Sequence, residues 1–460
     1  GLPQLIDTVS PTWMLNRDPD PGIQATSWRL SLQACLIRTD VLRQLGGPDP
    51  HFETLAGAGL EMGYRYIRKG VFVRHIPCLL DGSPHYSTIK IPLKDQLRFI
   101  RAGFGSRWLT WAGYRAVLRG SASPSPLWRA MSKIKQEKPF PQRKVYERRT
   151  QIKANAEIPG SVSVLIPTIN RYPYLRTLLE QLRAQTISPF EIIVVDQTPA
   201  GERDTNLSSD FNDLPVRWFY LDEAGQCRSR NLGLNKAKGE YILFIDDDDE
   251  IPPDLIESHL TALHQHGVNI SNGVAHEVGA GDLPEDFTFQ RLSNVFPTNN
   301  TMIRKTILNQ SGLFDMAYDH GQRADHDLGM RLYLSGELMV LNPEIAVLHH
   351  HAPTGGLREH KARVDTYAAS RRHLFKRNLP TVSDIYLAKR YFTNQQVREM
   401  LWISVLGTFS LRGSLLKRMI KLVVSSLLMP HTLWVIQNRS RMAETMLLNY
   451  PQIPPLREEN

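Results

Sequence analysis

The stretch YILFIDDDDEIPP, residues 241–253, passes from an apolar strand directly into four aspartates and then into a proline turn. The carboxylates of Asp246 to Asp249 repel one another and persist most readily where a cation lies among them, and a hard divalent ion is the natural candidate. Acidic residues at the carboxyl end of a strand also lie where α/β sheets bind ligands. The alternative is a solvated acidic turn that caps the next helix.

Strand and helix patterns alternate around this stretch. Continuous apolar runs predict buried strands at residues 162–166, 191–195, 216–221 and 240–245. Helices are predicted between them, and the first helix carries leucines at the spacing of one helical face: Leu175, Leu178, Leu179 and Leu182. The order βαβαβαβ predicts an α/β domain over residues 161–357, with a parallel sheet and helices on both faces.

Composition places the chain among ordinary globular proteins. It has 460 residues, of which 42% are hydrophobic and 22% charged, and this length predicts about two to four domains. The net charge of +9 allows anionic partners, but no recognition motif supports a nucleic acid. Cys35, Cys78 and Cys227 fit neither a zinc site nor a disulfide framework. We therefore expect a reducing, cytoplasmic compartment.

Three further regions are predicted outside residues 161–357. Residues 1–120 contain helical patterns, and residues 121–160, rich in proline, lysine and arginine, are predicted to be a basic linker that ends in a helix. Residues 358–460 are predicted to be helical and contain no run of 18 apolar residues. Within them, residues 415–422 combine an apolar and a basic face. A helix lying on an anionic membrane and an ordinary packed helix explain this pattern equally well.

An internal repeat links the first region to the α/β domain. Residues 300–343 align without a gap with residues 34–77 and share eleven identical positions, among them Arg65/Arg331 and Gly70/Gly336. One long period predicts a duplicated domain rather than a solenoid, and chance similarity of two amphipathic segments is the alternative. Gly59 stands where the second copy has Asp325. The first copy is therefore predicted to be an incomplete or degenerate half domain.

Residues 161–351 resemble the inverting, family 2 type of GT-A glycosyltransferase. Four motifs carry the resemblance in order: SVSVLIPTIN at 161–170, EIIVVDQT at 191–198, CRSRNLGLNKAKGEYILFIDDDD at 227–249, and the segment around Asp325. The resemblance implies a GT-A (Rossmann-like) α/β fold with a mixed, mainly parallel sheet flanked by helices. One position departs from the family pattern, because Ala324 stands where a glutamate usually precedes the catalytic aspartate.

The resemblance also implies the site residues. Asp246 and Asp248 would form the pair that holds Mg²⁺ or Mn²⁺ against the donor diphosphate, and His349 is favoured over His350 and His351 as the nearby histidine. Asp325 would be the general base that inversion requires. Arginines pair well with phosphate oxygens. The donor nucleotide is expected at Pro167, Thr168, Asn170, Asp196, Arg228, Arg230, Asp246 and Asp247.

The predicted function is a metal-dependent inverting glycosyltransferase. It would move a sugar from a nucleotide-sugar donor, with UDP favoured, to a glycan or lipid-linked acceptor in cell-surface polysaccharide synthesis. The predicted location is cytoplasmic, with peripheral association at the inner face of the plasma membrane. A non-catalytic carbohydrate- or nucleotide-binding scaffold remains an alternative. A nucleotidyltransferase is disfavoured because no Gly-rich, Lys-bearing phosphate loop follows Ile166.

Overall fold

The computed structural model describes residues 5–8, 16–77, 79, 90–137, 140, 145–148, 160–359, 379–409 and 414–457. The chain divides into two compact units. The first comprises residues 1–147 and 366–448, and the second comprises residues 148–365 and 449–460. Cys35 and Cys227 are free thiols, and Cys78 lies outside the described residues.

Strands in the described residues are β1 Ala25–Thr26, β2 Arg74–His75, β3 Val162–Thr168, β4 Glu191–Asp196, β5 Val216–Tyr220, β6 Tyr241–Phe244, β7 Asp249–Glu250, β8 Ile270–Glu277, β9 Arg291–Leu292, β10 Thr301–Arg304 and β11 Met339–His349. Helices are α1 Thr39–Leu45, α2 Leu55–Arg68, α3 Leu93–Phe104, α4 Ser106–Leu118, α5 Pro124–Gln136, α6 Tyr172–Arg183, α7 Leu207–Asp210, α8 Gln226–Lys236, α9 Leu255–His266, α10 Leu308–Ser311, α11 Ala324–Leu334, α12 Gly356–Glu359, α13 Val382–Tyr391, α14 Asn394–Gly407, α15 Leu415–Leu427 and α16 Met429–Asn449. Short 3₁₀ turns lie at Ile6–Thr8, Ala200–Glu202, Glu285–Phe287, Lys305–Ile307 and Met316–Tyr318.

The second unit is built on a nine-stranded sheet in the order β5-β4-β3-β6-β10-β8-β11-β7, with β9 paired to β11. Strands β5, β4, β3 and β6 run parallel, as the alternating pattern predicts. Beyond them β10 is antiparallel to both β6 and β8, while β11 is parallel to β8 and antiparallel to β7 and β9. The mixed sheet flanked by helices confirms the predicted α/β fold class.

Apolar patterning explains why these elements form. The run at the centre of β3 is fully buried because a parallel strand covered by helices presents both faces to the core. Helix α6 buries all four leucines that define its predicted face, and Pro173 lies in its first turn, where no amide donor is needed. Each fully buried leucine stabilises the fold by about 1.5–3 kcal/mol.

The first unit corrects the predicted boundaries. The segment predicted as a linker contains α5, which buries Leu127, Met131 and Ile134 and is therefore a packed part of the unit. The carboxylate of Glu399 on α14 is fully buried and accepts hydrogen bonds from Arg115 on α4 and from Arg119, the residue after α4. The helices predicted as a separate C-terminal region thus pack within the same unit as residues 1–147. Residues 138–139, 141–144, 149–159 and 360–378 of the two predicted regions lie outside the described residues.

The two aligned segments place an arginine in the same contacts. Arg65 on α2 donates to Glu61, one turn earlier, at 2.8 Å and to the carbonyl of Leu45 at 2.5 Å. Arg331 on α11 donates to Asp327, one turn earlier, at 2.9 Å and to the carbonyl of Ser311. We call each set an arginine clamp: the arginine, the carboxylate one turn before it, and the carbonyl at the end of the preceding helix. In both segments it ties a helix to the end of the helix that precedes it.

Backbone contacts extend this correspondence. Gly63 and Gly329 lie where a Cβ would meet the backbone of Trp28 and Asn294 respectively, and both helices end before a glycine with φ of 91°. The strand pairs β1–β2 and β9–β11 share one register. Equivalent hydrogen bonds join Gly46 N to Leu42 O, Val71 N to Tyr66 O and Ser27 N to Val73 O, and Gly312 N to Leu308 O, Glu337 N to Leu332 O and Ser293 N to Met339 O. Common origin of the two segments stays a prediction.

The first copy has no space for a carboxylate at the position of Asp325. A Cβ on Gly59 would lie 2.4 Å from the carbonyl oxygen of Leu30. The buried carboxylate of Asp95, on α3, accepts hydrogen bonds from Glu53 N and Thr54 N at the start of α2. A carboxylate of the protein itself, that of Asp95, therefore already binds the backbone amides just before α2.

Removing either arginine should destabilise its own unit. Asp327 is fully buried and Glu61 nearly so, and an unpaired buried carboxylate costs about 3–5 kcal/mol. We expect Arg65→Met to lower the free energy of opening of α2, and Arg331→Met that of α11, by this amount, as measured by amide hydrogen exchange. Arg68→Met, an exposed change on α2, is the control. An effect no larger than that of the control would show that the clamps do not support the helices.

Candidate active site

A cleft of about 480 Å³ opens at the carboxyl ends of β3 and β6. Strand order places it there, because β4 and β5 lie on one side of β3 while β6 lies on the other, which makes a crevice at the ends of β3 and β6. The cleft brings together seven of the predicted residues: Pro167, Thr168, Arg230, Asp246, Asp247, Asp248 and His349. It also contains residues that the sequence analysis did not select, among them Arg171, Gln197, Gln226, Ser229 and His351.

Asp247 is buried beneath the cleft and held by two donors. Its Oδ2 accepts a hydrogen bond from the Thr168 hydroxyl at 2.7 Å, and its Oδ1 accepts one from Arg171 at 3.1 Å. Burial raises the pKa of Asp247 to about 7, although the positive charge of Arg171 opposes the shift. Asp247, which is expected to bind the donor nucleotide, is therefore tied to the end of β3 and to the loop that follows it.

Asp248 is 2% exposed and presents one unsatisfied oxygen. Its Oδ2 accepts a hydrogen bond from Ala352 N at 2.8 Å and lies 3.0 Å from Arg171. Its Oδ1 is buried without a hydrogen-bond partner, and Nδ1 of His349 lies 3.7 Å from it. A buried anionic oxygen without a partner is costly, so this atom is a ready ligand for a cation.

Asp246 and Asp249 already have cationic partners. Asp246 Oδ1 accepts a hydrogen bond from Arg230 at 2.8 Å, and Asp249 Oδ1 lies 2.8 Å from Nδ1 of His349. Burial alone would lower the pKa of His349. The hydrogen bond with Asp249 and the charges of Asp249, Asp248 and Asp246 raise it instead, to about 9. Asp249 thus orients His349, as carboxylates commonly orient metal-binding histidines through the other ring nitrogen.

The donor set fits Mg²⁺ or Mn²⁺. Carboxylate oxygens suit both ions, and Asp248 Oδ1 supplies an uncommitted one. Among the described residues, no three histidine, cysteine, aspartate or glutamate side chains are assembled as a ready cage. This agrees with the way Mg²⁺ usually binds beside phosphates, through one or two carboxylates with the phosphates and water completing its shell.

Three predicted donor-binding residues do not line the cleft. Asp196 is 2% exposed, and its oxygens accept hydrogen bonds from the Tyr172 hydroxyl and from Thr198 N. Asn170 lies in the loop after β3 and donates to Glu202 at 3.0 Å. The contacts of Asp196 and Asn170 with a nucleotide base stay predictions. Each side chain would first have to give up its present hydrogen bonds to the protein.

Arg228, the third of these residues, is held by Asp319. Its Nε donates to Asp319 Oδ2 at 2.6 Å, and its side chain also pairs with Glu223. Asp319 Oδ1 accepts the backbone amides of Cys227 and Arg228 at 2.9 Å, so a protein carboxylate already occupies the N-terminus of α8. Arg230, rather than Arg228, presents its guanidinium to the cleft.

Asp325 lies in the first turn of α11 with its side chain 38% exposed. Its Oδ1 lies 3.0 Å from Nδ1 of His326, whose Nε2 lies 3.1 Å from Arg323. Burial alone would raise the pKa of Asp325, but the hydrogen bond from His326 and the charges of His326 and Arg323 lower it. The carboxylate is therefore ionised at neutral pH, as a general base must be, although it is not part of the cleft lining.

Strained backbone is concentrated in the same loops. Asn170, Arg323 and His351 are the non-glycine residues in the described part of the chain that have positive φ, at 55°, 84° and 49°. They follow β3, precede Asp325 and follow His349 respectively. Such conformations cost of order 1–3 kcal/mol and cluster at functional sites. Each of these residues therefore lies next to a predicted site residue or is one itself.

Arg171 and Asp319 are the functional residues that sequence reasoning missed. Arg171 has a readable signal, since a cation was expected among the four aspartates and this arginine follows the first strand motif directly. Asp319 has none, because its partners on α8 are about 90 residues earlier in the chain.

Replacing Arg171 should strengthen metal binding in the absence of nucleotide. The guanidinium bridges Asp247 and Asp248 and competes with an incoming ion for the same oxygens. For Arg171→Met we expect the affinity for Mn²⁺ to rise by about tenfold, measured by electron paramagnetic resonance titration. Arg176→Met, on the exposed surface of α6, is the matched control. Unchanged Mn²⁺ affinity in Arg171→Met would show that the ion does not use these oxygens.

Comparison with known proteins identifies the domain. The sequence model of the family described as Glycosyl transferase family 2 matches residues 163–321. The chain is 29% identical over 167 residues to the uncharacterized glycosyltransferase YwdF of Bacillus subtilis (strain 168), covering 34% of this chain and 62% of that protein. It is 36% identical over 102 residues to the putative glycosyltransferase EpsH of the same strain, covering 22% and 29%. The chain thus spans less than two thirds of the length of these relatives.

Similar solved structures include S. aureus TarS 1–349 in complex with UDP-GlcNAc, with a TM-score of 0.40 and 17% identity over 63% of this chain and 92% of that chain. GalNAc-T7 with UDP, GalNAc and Mn²⁺ has a TM-score of 0.43 and 13% identity over 58% and 55%. Both TM-scores lie below 0.5, so the family assignment rests on the sequence matches. Those matches confirm the predicted resemblance: residues 163–321 of this chain match the Glycosyl transferase family 2 model.

Proposed function

We propose that this chain is a metal-dependent, inverting glycosyltransferase that uses a nucleotide-sugar donor, with UDP as the favoured nucleotide. The acceptor is a glycan or a lipid-linked saccharide, and the reaction serves cell-surface polysaccharide synthesis on the cytoplasmic side of the membrane. The observation that carries the proposal is the cleft at the ends of β3 and β6, where acidic and cationic side chains alternate around one unsatisfied carboxylate oxygen.

The cleft can bind both parts of a metal diphosphate. Asp248 and Asp246 would hold Mg²⁺ or Mn²⁺, with His349 at its side, and the bound ion would supply positive charge against the departing diphosphate. Arg230 is 2.8 Å from Asp246 and reaches the same space, so it can exchange this carboxylate for a phosphate. Arg171, which also lines the cleft and pairs with Asp247, can do the same.

Asp325 is the residue we assign to the acceptor. An inverting transfer needs one ionised carboxylate to remove the proton of the attacking hydroxyl. The pKa of Asp325 is lowered, and its side chain is partly exposed at the start of α11, so it can accept that proton. Asp327, two residues later, is fully buried in the arginine clamp and is thereby excluded from this role.

Two substitutions separate binding from transfer. Asp248→Asn removes an ion ligand and should weaken Mn²⁺-dependent UDP binding by about 100-fold or more, as measured by calorimetry with Mn²⁺ and with EDTA. Asp325→Asn should leave that binding intact and lower the rate of sugar transfer by about 10²–10⁴-fold, since it removes only general-base catalysis.

The control for both is Asp282→Asn, a charge-neutralising change in an exposed loop. Unchanged UDP affinity in Asp248→Asn, or UDP binding that EDTA does not weaken, would contradict the metal assignment. Near-normal transfer by Asp325→Asn would mean that another group is the base. A folded protein that binds no nucleotide with Mn²⁺ would favour the scaffold alternative.

A further inference from the structure

Helix α15 leaves most of its large apolar side chains exposed. Six of its large apolar residues are between 44% and 77% exposed: Leu415, Leu416, Met419, Ile420, Val423 and Leu427. Ser425 is the residue of this helix that the structure buries. Exposed leucines are ordinary when scattered, but six in one short helix form a patch that needs an explanation.

The six residues lie on one side of the helix. At 100° per residue they fall within an arc of about 140°, whereas Lys417, Arg418 and Lys421 fall outside it. A helix with an apolar stripe and a lysine- and arginine-rich polar side is the form that lies in a membrane interface. We call the six residues the α15 stripe.

The positive charge around α15 indicates what kind of partner binds this surface. Residues 400–443 contain no aspartate or glutamate and carry six basic residues, Arg412, Lys417, Arg418, Lys421, Arg439 and Arg441. Each basic residue near an anionic lipid surface contributes about 1 kcal/mol of attraction. A second copy of this chain would bring the same positive charge to the contact, so self-association is disfavoured. An anionic lipid surface complements both the stripe and the charge.

The next helix presents an interfacial residue. Trp434, in the second turn of α16, is 61% exposed, and Leu433 beside it is 41% exposed. Tryptophan is enriched where headgroups meet hydrocarbon, because its ring is apolar and its N–H can still bond. A second contact of this kind would fix how α15 and α16 meet the surface.

Length favours lying on the membrane over crossing it. Within the described residues, no single helix is long and apolar enough to span a bilayer, and the pair α15 and α16 meets that requirement only together, with a bend of 56°. The 13 residues of α15 extend about 20 Å, which is shorter than a hydrocarbon core of about 30 Å.

We propose that the α15 stripe inserts into the headgroup region of a membrane rich in anionic lipid, with α15 lying parallel to the surface. This inference is independent of the glycosyltransferase reaction, since it concerns helices of the first unit. It assigns a lipid surface, rather than a protein or a nucleic acid, as the partner of the basic C-terminal helices.

Vesicle flotation tests the proposal with the full chain and without nucleotide, metal or acceptor. We expect binding to vesicles of phosphatidylcholine with about 30% phosphatidylglycerol, and at least tenfold weaker binding to phosphatidylcholine alone, because the attraction is partly electrostatic. Met419→Glu and Val423→Glu should each reduce binding to the anionic vesicles at least tenfold, because they place a charge in the stripe. Leu118→Glu, an equally exposed change on α4, should leave it unchanged.

Three outcomes would overturn the proposal. The first is an absence of binding to anionic vesicles by the folded wild-type chain. The second is a wild-type dimer in analytical ultracentrifugation that Met419→Glu converts to a monomer, which would assign the stripe to a second copy. The third is resistance of the vesicle-bound protein to alkaline carbonate, which marks a spanning segment. Mn²⁺-dependent UDP binding by the same samples would show whether the catalytic proposal holds separately.

Discussion

The burial of consecutive carboxylates is the constraint on which the active site depends. Asp247, Asp248 and Asp249 are all nearly inaccessible to solvent, and an isolated buried charge would cost far more than the fold can supply. Positive side chains from three different segments therefore surround the acidic run. Arg171, after β3, pairs with Asp247 and Asp248, and His349, at the end of β11, pairs with Asp249. Arg230, on α8, pairs with the neighbouring Asp246. The pairing that compensates the buried charges also builds the cleft in which we propose that a dication and a diphosphate bind.

This compensation couples the acidic run to the loop after β11. Arg171 contacts the carbonyl of Thr354 and lies against Gly355 and Gly356, while Gly356 N donates to the carbonyl of Ile169. Ala352 N donates directly to Asp248. A ligand that displaces Arg171 from the carboxylates therefore also alters the support of residues 352–357. Both glycines have positive φ, a backbone conformation that residues with a side chain rarely adopt, so this turn of the loop depends on glycine.

Local patterns predicted the sheet and much of the cleft. The leucines of α6 and the apolar run of β3 follow from periodicity, and the acidic residues after β6 follow from where parallel strands end. Contacts between distant segments could not be predicted in this way. Arg228 was expected at a phosphate but is paired with Asp319, and the predicted linker contains α5, because its few apolar positions find partners in a unit built from both ends of the chain. The place of Asp325 in the sequence was readable, whereas its support by His326 and Arg323 depends on the conformation at the start of α11.

The two arginine clamps allow one segment of this protein to be compared with another. The two aligned segments differ at the start of the helix. One has the carboxylate of Asp325 there, and the other has Gly59 packed against a carbonyl oxygen, where no side chain fits. Positions identical in both copies, such as Gly63/Gly329 and Arg65/Arg331, are those that close approach and buried charge demand. Positions that differ between the two segments are those that these shared contacts do not constrain. Comparing the two segments therefore separates the contacts that both helices share from the position, Gly59 or Asp325, at which only one segment has room for a side chain.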